Sequence, residues 1–569
     1  MTPVKIIAKS GPVNRPVIAA AALGGSASLL WPTAQHWQDF VMAGALASGA
    51  AILLMTAGRN VLKDYRLRKN IAISQDISDS HGSAREATPA ERSAAGMDQP
   101  SELLGLDHKG RPVWRPRSLP FSIIEMPPGV GKSICYVMTW IISRATGGYS
   151  LVIADPKREL FPMLSAGLRR LGFEVWAVNP AGGLLGIEGE VELGAFQAVI
   201  DAVHGEAHER KNAVRIAMDY AVILYPLNNE EKNPYFAHGS RRVLIVAILS
   251  EAFLNPAECT PSALYSLIAD PIAFKKRLAL LAFQLEGIDP NDALVAFLKV
   301  EALNLIDRAK KNEENFGSFV EGASQRLLSF NPVGHLSGYG ERAFHRLGEL
   351  RERQVIVFIM SPLTHTREFA PLVSLLNYNI LEACKSKPHG HKVHIVAEEA
   401  LNYRFSELTS DMETLRGLGV SMDFFIQGFA GLEKAYGRDA ARSIEAYSDV
   451  RITAGLNSPE RAKAVSETLS DTTLRKQDFS YQSHAREISI ATSEFSRPLM
   501  KPNEVLSMER GHAWVFVRGM NPMKLRMVHY GEVDWWRDYV APSPISGTRL
   551  YSKPVLTIAP YLKPETQDE

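Results

Sequence analysis

The sequence has few cysteines, and its charges nearly cancel. Its three cysteines, Cys135, Cys259 and Cys384, are far apart and lack the spacing of metal ligands. A disulfide framework is therefore excluded, and the thiols fit a reducing compartment. The formal net charge of +1 gives no overall basicity. A surface for nucleic acid would have to be local or built by oligomerisation.

The chain is too long for one ordinary hydrophobic core. Its 569 residues predict two or three domains. A hydrophobic content of 46% and a charged content of 22% are typical of globular proteins and exclude global disorder.

Two uncharged stretches lie near the N-terminus, Val17 to Trp31 and Phe40 to Ala57, separated by a short polar turn. Each is near the lower limit of about 17 to 20 residues that a bilayer requires. Lysines and arginines flank the pair on both outer sides: Lys5, Lys9, Arg15, Arg59, Lys63, Arg66, Arg68 and Lys69. The turn has none, so both ends are expected to face the cytoplasm.

We predict a two-helix transmembrane anchor over residues 1–70 and a solvated linker over 71–102. A signal peptide is the first alternative, and the second apolar segment that follows at once argues against it. A soluble helical hairpin remains as the other alternative, because the first segment is short. Small residues spaced four apart, such as Ala20 and Gly24, predict close helix packing.

The most informative stretch is FSIIEMPPGVGKSICYVMTW, from Phe121 to Trp140. It predicts a short apolar strand, a Pro/Gly loop and a helix, which is the layout of a phosphate-binding loop. Its predicted nucleotide-binding residues are Pro127, Pro128, Gly129, Val130, Gly131, Lys132 and Ser133. Met126 replaces the first glycine of the motif G-x-x-x-x-G-K-[ST]. The alternative is a chance Gly-Lys-Ser sequence in an ordinary loop.

Further buried strands frame this loop. Leu151 to Ala154 is a continuous apolar run that ends at Asp155, on the expected nucleotide side of a parallel sheet. Strands and helices alternate over 103–190 and again over 346–541. Between them, 191–345 shows helical periodicity alone. The predicted fold is therefore α/β, a nucleotide-binding domain with an all-helical insertion, followed by a flexible tail over 542–569.

An acidic pair, Glu398-Glu399, ends the apolar strand that begins near His391. A P-loop ATPase needs one carboxylate near Mg²⁺ and another to orient or deprotonate water. Gln427 ends the next strand, where an amide can contact the γ-phosphate as a sensor. For all three side chains the alternative is an ordinary solvated strand end.

Several motifs in one order resemble the type IV secretion coupling proteins, the TraG/TraD-like ATPases of bacterial conjugation. The segments that carry the resemblance are PPGVGKS from Pro127, DPKREL from Asp155, AEEALNYR from Ala397, LRGLGVSMDFFIQGFAGLEKAYG from Leu415 and RPLMKPNEV from Arg497. The resemblance covers nearly the whole chain. It implies a RecA-like nucleotide domain with a helical insertion, preceded by two transmembrane helices.

The resemblance also implies roles for individual residues. Lys132 and Ser133 would contact phosphates and Mg²⁺, Glu398 would be the Mg²⁺-coordinating acid, and Glu399 the catalytic acid. Gln427 would be the sensor, and Arg416 is placed like an arginine finger that reaches a neighbouring subunit. A solvated helix charge is the alternative for Arg416. The family usually has Asp where this chain has Glu398.

The leading hypothesis is a hexameric inner-membrane ATPase that binds ATP and Mg²⁺ at a type IV secretion channel. The resemblance implies relaxase-bound single-stranded DNA, protein effectors or both as its cargo. One alternative is a nucleotide-binding receptor and docking platform with little hydrolysis. Another is a DNA translocase of the FtsK/HerA type.

Overall fold

The computed structural model describes residues 14–30, 36–73, 82–182, 187–227, 234–289, 291–342, 345–361, 365–398, 408–482, 487–550 and 556–560. It contains two compact units. The first comprises Met1–Ala84 with Leu469–Leu499, and the second comprises Arg85–Thr468 with Met500–Glu569.

The helices and strands are numbered in chain order. The strands are β1 Leu103–Leu106, β2 Pro112–Trp114, β3 Phe121–Glu125, β4 Ser150–Ala154, β5 Glu174–Val178, β6 Val355–Ile359, β7 Val393–Glu398, β8 Val420–Ile426, β9 Val450–Thr453, β10 Asp471–Gln482, β11 Glu487–Pro498, β12 His512–Val517 and β13 Met523–Arg526. The helices are α1 Asn14–Leu30, α2 Trp37–Ile73, α3 Pro89–Ala94, α4 Met138–Thr146, α5 Leu160–Arg170, α6 Gln197–His204, α7 Ala207–Leu224, α8 Pro234–Leu254, α9 Pro261–Ala269, α10 Pro271–Gln284, α11 Ala293–Lys311, α12 Glu313–Arg326, α13 Thr366–Ser386, α14 Leu408–Gly417, α15 Phe429–Tyr436, α16 Arg438–Tyr447, α17 Pro459–Leu469, α18 Pro502–Leu506 and α19 Asp534–Tyr539.

In the first unit, α1 and α2 pack along a seam of small residues. The seam alanines recur seven positions apart within each helix and are buried: Ala20, Ala27, Ala43, Ala50 and Ala57. A Cβ on Gly24 would lie 3.8 Å from that of Ala50. This close approach agrees with the packing that the small residues predict. The same unit contains the antiparallel pair β10 and β11.

Of the two predicted membrane spans, the second is supported by length and composition. Within the described residues, Trp37–Arg59 is the single helical stretch long and apolar enough to cross a bilayer, with a mean hydropathy of 2.0. The apolar part of α1, Ala19–Leu29, is shorter than a span requires. A second membrane span therefore stays a prediction.

The second unit contains an eleven-stranded mixed sheet in the order β2-β1-β13-β12-β9-β3-β8-β7-β4-β6-β5. Within the run β9-β3-β8-β7-β4-β6-β5, adjacent strands are parallel. The strands from β12 to β2 pair antiparallel. The predicted α/β class is correct, and the antiparallel strands extend the sheet beyond its parallel core. The hairpin β1–β2 turns at Gly110, whose φ of 75° favours glycine.

Helices α6 to α12 lie between β5 and β6 in the chain, and none of the named strands falls among the described residues of that stretch. Their centre is α8, where Val243, Leu244, Val246 and Ala247 are fully buried. The apolar periodicity that predicts helices over 191–345 therefore corresponds to a core formed between helices.

Two predicted solvated segments are partly ordered. Within the predicted linker, Thr88 caps α3, and Arg92 forms a buried ion pair with Asp107 at 2.7 Å. Within the predicted tail, the Leu556 N–H donates to the Glu532 carbonyl at 2.6 Å. The sequence does not reveal such contacts, because a single buried ion pair or backbone hydrogen bond is enough to hold a short polar segment in place.

Candidate functional site

The carboxyl ends of neighbouring parallel strands bring the predicted site residues to one edge of the sheet. The glycine-rich loop follows β3, and Gln427 follows the adjacent strand β8. Glu398 ends β7, which pairs with β8, and Asp155 follows β4, which pairs with β7. This is the edge at which open α/β sheets bind ligands.

The loop depends on two glycines for its backbone conformation. Gly129 and Gly131 have φ angles of 80° and 105°, which residues with a Cβ rarely adopt. A third glycine, in the segment that follows β9, contacts the loop. Gly455 has a φ of 62°, and a Cβ there would lie 2.6 Å from Cγ2 of Val130. The loop and the segment after β9 are therefore in close contact.

Met126 occupies the position of the first glycine of the motif. Its side chain is fully buried in the core beneath the loop, and its N–H donates to the Ile426 carbonyl at 3.0 Å. The position continues the pairing of β3 with β8 and has no positive φ. The backbone therefore does not require a glycine at this position.

Ser133 and Glu398 are in direct contact. The Ser133 hydroxyl, at the start of the π-helical turn Ser133–Val137, donates to Glu398 Oε1 at 3.0 Å. Burial raises the pKa of Glu398 to about 7, and the charges of Lys132 and Lys157 oppose this increase. Lys132 itself is buried, with 7% of its surface exposed. A carboxyl, a hydroxyl and two lysines therefore converge beside the loop.

Asp155 is also present at this edge, but its oxygens are used within the fold. It accepts hydrogen bonds from the N–H groups of Glu159 at 3.0 Å and Phe161 at 2.8 Å, at the start of α5. Burial raises its pKa to about 6, although these bonds favour the ionised form. Lys157 was missed as a site residue. Its signal was its position three residues beyond the end of the buried strand β4.

The remaining predicted residues are Gln427, Glu399 and Arg416. Gln427 is exposed at the end of β8. Glu399 lies outside the described residues. Arg416 lies at the opposite edge, where its guanidinium donates to both carboxylate oxygens of Asp449 at 2.9 and 3.0 Å. Asp449 is buried beside the amino end of β3 and also pairs with Arg518 at 3.0 Å.

Sequence reasoning missed a second carboxylate that supports the loop. Glu125, the last residue of β3, pairs with Arg461 at 2.6 Å and accepts from the Phe429 N–H at 3.0 Å. It joins the strand before the loop to the starts of α15 and α17. The available signal was an acidic residue directly before a glycine-rich loop.

A buried polar network crosses the sheet below this edge. Asp423 pairs with Arg115 at 2.7 Å and with His394 Nε2 at 2.8 Å, and it accepts from the Ser122 hydroxyl at 2.6 Å. The charge of Arg115 holds the pKa of Asp423 well below its usual range against the opposing effect of burial. These polar residues interrupt apolar strands in the sequence, and together they tie β3, β7 and β8.

The donors at the carboxyl edge fit a magnesium–nucleotide complex. Backbone N–H groups of the loop and the helix that follows are suited to phosphate oxygens. A carboxylate and a hydroxyl 3.0 Å apart supply the oxygen donors that Mg²⁺ prefers.

Comparison with known proteins finds similarity to conjugation proteins. A model described as "Type IV secretory system Conjugative DNA transfer" matches residues 302–544. Over 481 residues the chain is 22% identical to VirD4 of Agrobacterium fabrum, covering 82% of this chain and 68% of that protein. It is 23% identical over 398 residues to the conjugal transfer protein TraG of Rhizobium radiobacter, covering 68% of this chain and 58% of TraG. The resemblance to the type IV coupling proteins is confirmed.

Solved structures show the same coupling-protein fold. The unbound form of the bacterial conjugative coupling protein TrwB has a TM-score of 0.56 at 14% identity, covering 78% of this chain and 92% of that one. TrwB in complex with ADP and Mg²⁺ has a TM-score of 0.54, covering 78% and 94%. At this identity the likeness shows the fold alone. The fold is that of a P-loop protein with a large mixed sheet.

Proposed function

We propose that this chain is a membrane-anchored coupling ATPase that recruits substrate to a type IV secretion channel and drives its export by hydrolysing ATP. The observation that supports this most directly is the hydrogen bond between Ser133 of the glycine-rich loop and Glu398 of the acidic strand. A protein that served only as a scaffold would not need a hydroxyl and a carboxyl in contact beside Lys132 and Lys157.

Each residue at the carboxyl edge has a proposed role. Lys132 binds the terminal phosphates, and Ser133 and Glu398 hold Mg²⁺, which neutralises charge on the phosphate oxygens. Glu399 orients or deprotonates the attacking water, and Gln427 contacts the γ-phosphate. The buried position of Lys132 and the raised pKa of Glu398 support a site whose charges are balanced only when magnesium and nucleotide are bound.

Arg416 is the proposed arginine finger, and it would act on a neighbouring subunit of a hexamer. It lies at the amino ends of β3 and β9, whereas the loop follows the carboxyl end of β3. It therefore cannot serve the nucleotide of its own chain. Its pairing with Asp449 fixes the guanidinium at the surface, with 37% of the side chain exposed.

The relatives support the proposed substrate and location. The matched family model describes conjugative DNA transfer, which favours relaxase-bound single-stranded DNA as cargo, with protein effectors as a second class. Residues 1–70 would anchor the chain in the inner membrane by two spans. The helical region 191–345 would face the cytoplasm and select substrate, between the two parts of the nucleotide domain, 103–190 and 346–541.

A receptor with little hydrolysis is the second candidate. The ion pair between Arg416 and Asp449 favours it, because an engaged guanidinium is not free to reach another subunit's nucleotide. The test is ATP turnover by the full-length protein with and without single-stranded DNA. The matched variants are Lys132→Ala and Lys463→Ala, the latter an exposed lysine of α17.

The motor proposal expects turnover that DNA stimulates, that Lys132→Ala abolishes and that Lys463→Ala retains. Nucleotide binding without turnover, in the presence of DNA, would favour the receptor. Turnover that survives Lys132→Ala would contradict the assignment of the site.

A further inference from the structure

Two histidines and a glutamate, none of them among the residues proposed to bind nucleotide, meet at the surface of the second unit. His335 Nδ1 lies 2.6 Å from Glu368 Oε2, and His365 Nδ1 lies 3.8 Å from Glu368 Oε1. The two imidazole rings stack with centroids 5.1 Å apart. One ligand atom from each side chain lies within 4.8 Å of the other two.

From this geometry we propose a binding site for a divalent transition-metal ion, of the zinc, cobalt or nickel class, formed by His335, His365 and Glu368. Two imidazole nitrogens and one carboxylate form the ligand set of many zinc sites, with water in the fourth position. Magnesium prefers oxygen ligands alone. The site therefore selects a different cation from the one proposed at Ser133 and Glu398.

The backbone at both ends of the cluster is held in place. Next to His335, Leu336 is buried, and its N–H donates to the Ser329 carbonyl at 3.0 Å. Next to Glu368, Phe369 is fully buried, and its ring lies 6.3 Å from that of His335. His335 and Glu368 thus project from anchored backbone at the surface, and rotations of the three side chains would close them around one ion.

The site joins two parts of the second unit that are distant along the chain. His335 follows the last helices of the helical region, whereas His365 and Glu368 are at the start of α13, which follows β6 of the sheet. A bound ion would link the exit of the helical region to the sheet. It would stabilise the folded chain, because the unfolded chain does not bring these ligands together.

The test uses the purified full-length protein, stripped of transition metals by a chelator and kept in excess Mg²⁺. Co²⁺ is the probe, because its visible absorption reports four-coordinate binding, and Zn²⁺ serves as its competitor. We expect one Co²⁺ per chain, displaced by Zn²⁺. His335→Ala and His365→Ala should each weaken binding by more than about tenfold, since even residues that only support a ligand contribute about 10- to 100-fold.

His208→Ala is the matched control, since His208 is an exposed histidine of α7, far along the chain from the cluster. It should bind Co²⁺ as the unaltered protein does. Zn²⁺ should raise the Tm of the unaltered protein and of this control, but not that of the two cluster variants. The cluster residues are at the surface, so all variants should melt alike without metal.

Absence of Co²⁺ binding in excess Mg²⁺ would overturn the proposal, as would binding that persists when His335 and His365 are replaced together. Lys132→Ala should bind Co²⁺ normally. Failure of the metal site is therefore distinguishable from failure of the proposed ATPase.

Discussion

The Ser133 hydroxyl donates to Glu398 across 3.0 Å, although 265 positions separate the two residues in the chain. Their strands, β3 and β7, are separated in the sheet by β8. The contact therefore depends on the register of three parallel strands. It places the start of the helix after the loop against the acidic strand end.

The raised pKa of Glu398 predicts how the site responds to pH. Burial raises this pKa from 4.5 to about 7, so the folded chain without nucleotide holds a proton that the unfolded chain has lost. The contribution to stability is therefore present at low pH and lost as the pH rises through about 7. Magnesium favours the ionised carboxylate, so affinity for Mg²⁺-ATP should rise over the same range.

Glu398→Gln tests this coupling. The amide has no charge to bury, so the stability of the nucleotide-free variant should lose this pH dependence, and Mg²⁺-dependent ATP binding should fall at every pH. The measurements are thermal unfolding and nucleotide titration at several pH values. Equal pH profiles for both proteins would show that Glu398 does not titrate in this range.

Restoring the first glycine of the loop motif should harm the protein. Met126 is fully buried, so Met126→Gly leaves a cavity and should lower the free energy of unfolding by about 3 kcal/mol or more. Met126→Leu, which conserves volume, should cost less than about 1.5 kcal/mol. Chemical denaturation checks both values. Tighter nucleotide binding by the glycine variant would mean that the position acts as part of the loop.

Gly455→Ala should weaken nucleotide binding through the loop. A Cβ there meets Val130 at 2.6 Å, and the φ of 62° is unfavourable for alanine. Gly519→Ala is the matched control, with a φ of 76° and open space around its Cβ. Both should lose about 1 to 2 kcal/mol of stability to backbone strain. Titration with an ATP analogue should show reduced affinity for Gly455→Ala alone.

Arg416 and Arg518 form a natural pair of test positions, because both bind the buried carboxylate of Asp449. Replacing either with alanine should destabilise the chain. If Arg416 is an arginine finger, Arg416→Ala should reduce ATP turnover by about 10³-fold, the lower end of the effect for such residues. Arg518→Ala should retain turnover at temperatures where both variants are folded. Equal turnover in the two variants would assign Arg416 a structural role.

The sequence was sufficient to predict which strand ends carry the site, because each functional side chain follows an apolar run. Five predicted site residues lie at the carboxyl ends of the parallel strands, as predicted: Lys132, Ser133, Glu398, Gln427 and Asp155. Parallel strands place their carboxyl ends together, so this prediction required only periodicity and chain order.

What could not be predicted depends on pairings between distant residues. Asp423 and His394 interrupt apolar strands, and only the register reveals that they contact each other and Arg115. The ion pair of Arg416 could not be predicted either, because nothing in the sequence indicates that Asp449 lies beside its guanidinium. The anchoring of residues 556–560 depends on the bridge between Val533 and Leu556 and on the hydrogen bond from the Trp535 indole to the Ile558 carbonyl, and neither leaves a pattern in the sequence.

The most direct test of the central claim is transfer of a mobilisable plasmid from cells that carry the unaltered protein, Lys132→Ala or Lys463→Ala, with membrane levels of all three measured. The account predicts that transfer falls to background for Lys132→Ala and is unchanged for Lys463→Ala at equal protein level. Transfer by Lys132→Ala at the level of the unaltered protein would contradict an ATP-driven coupling function.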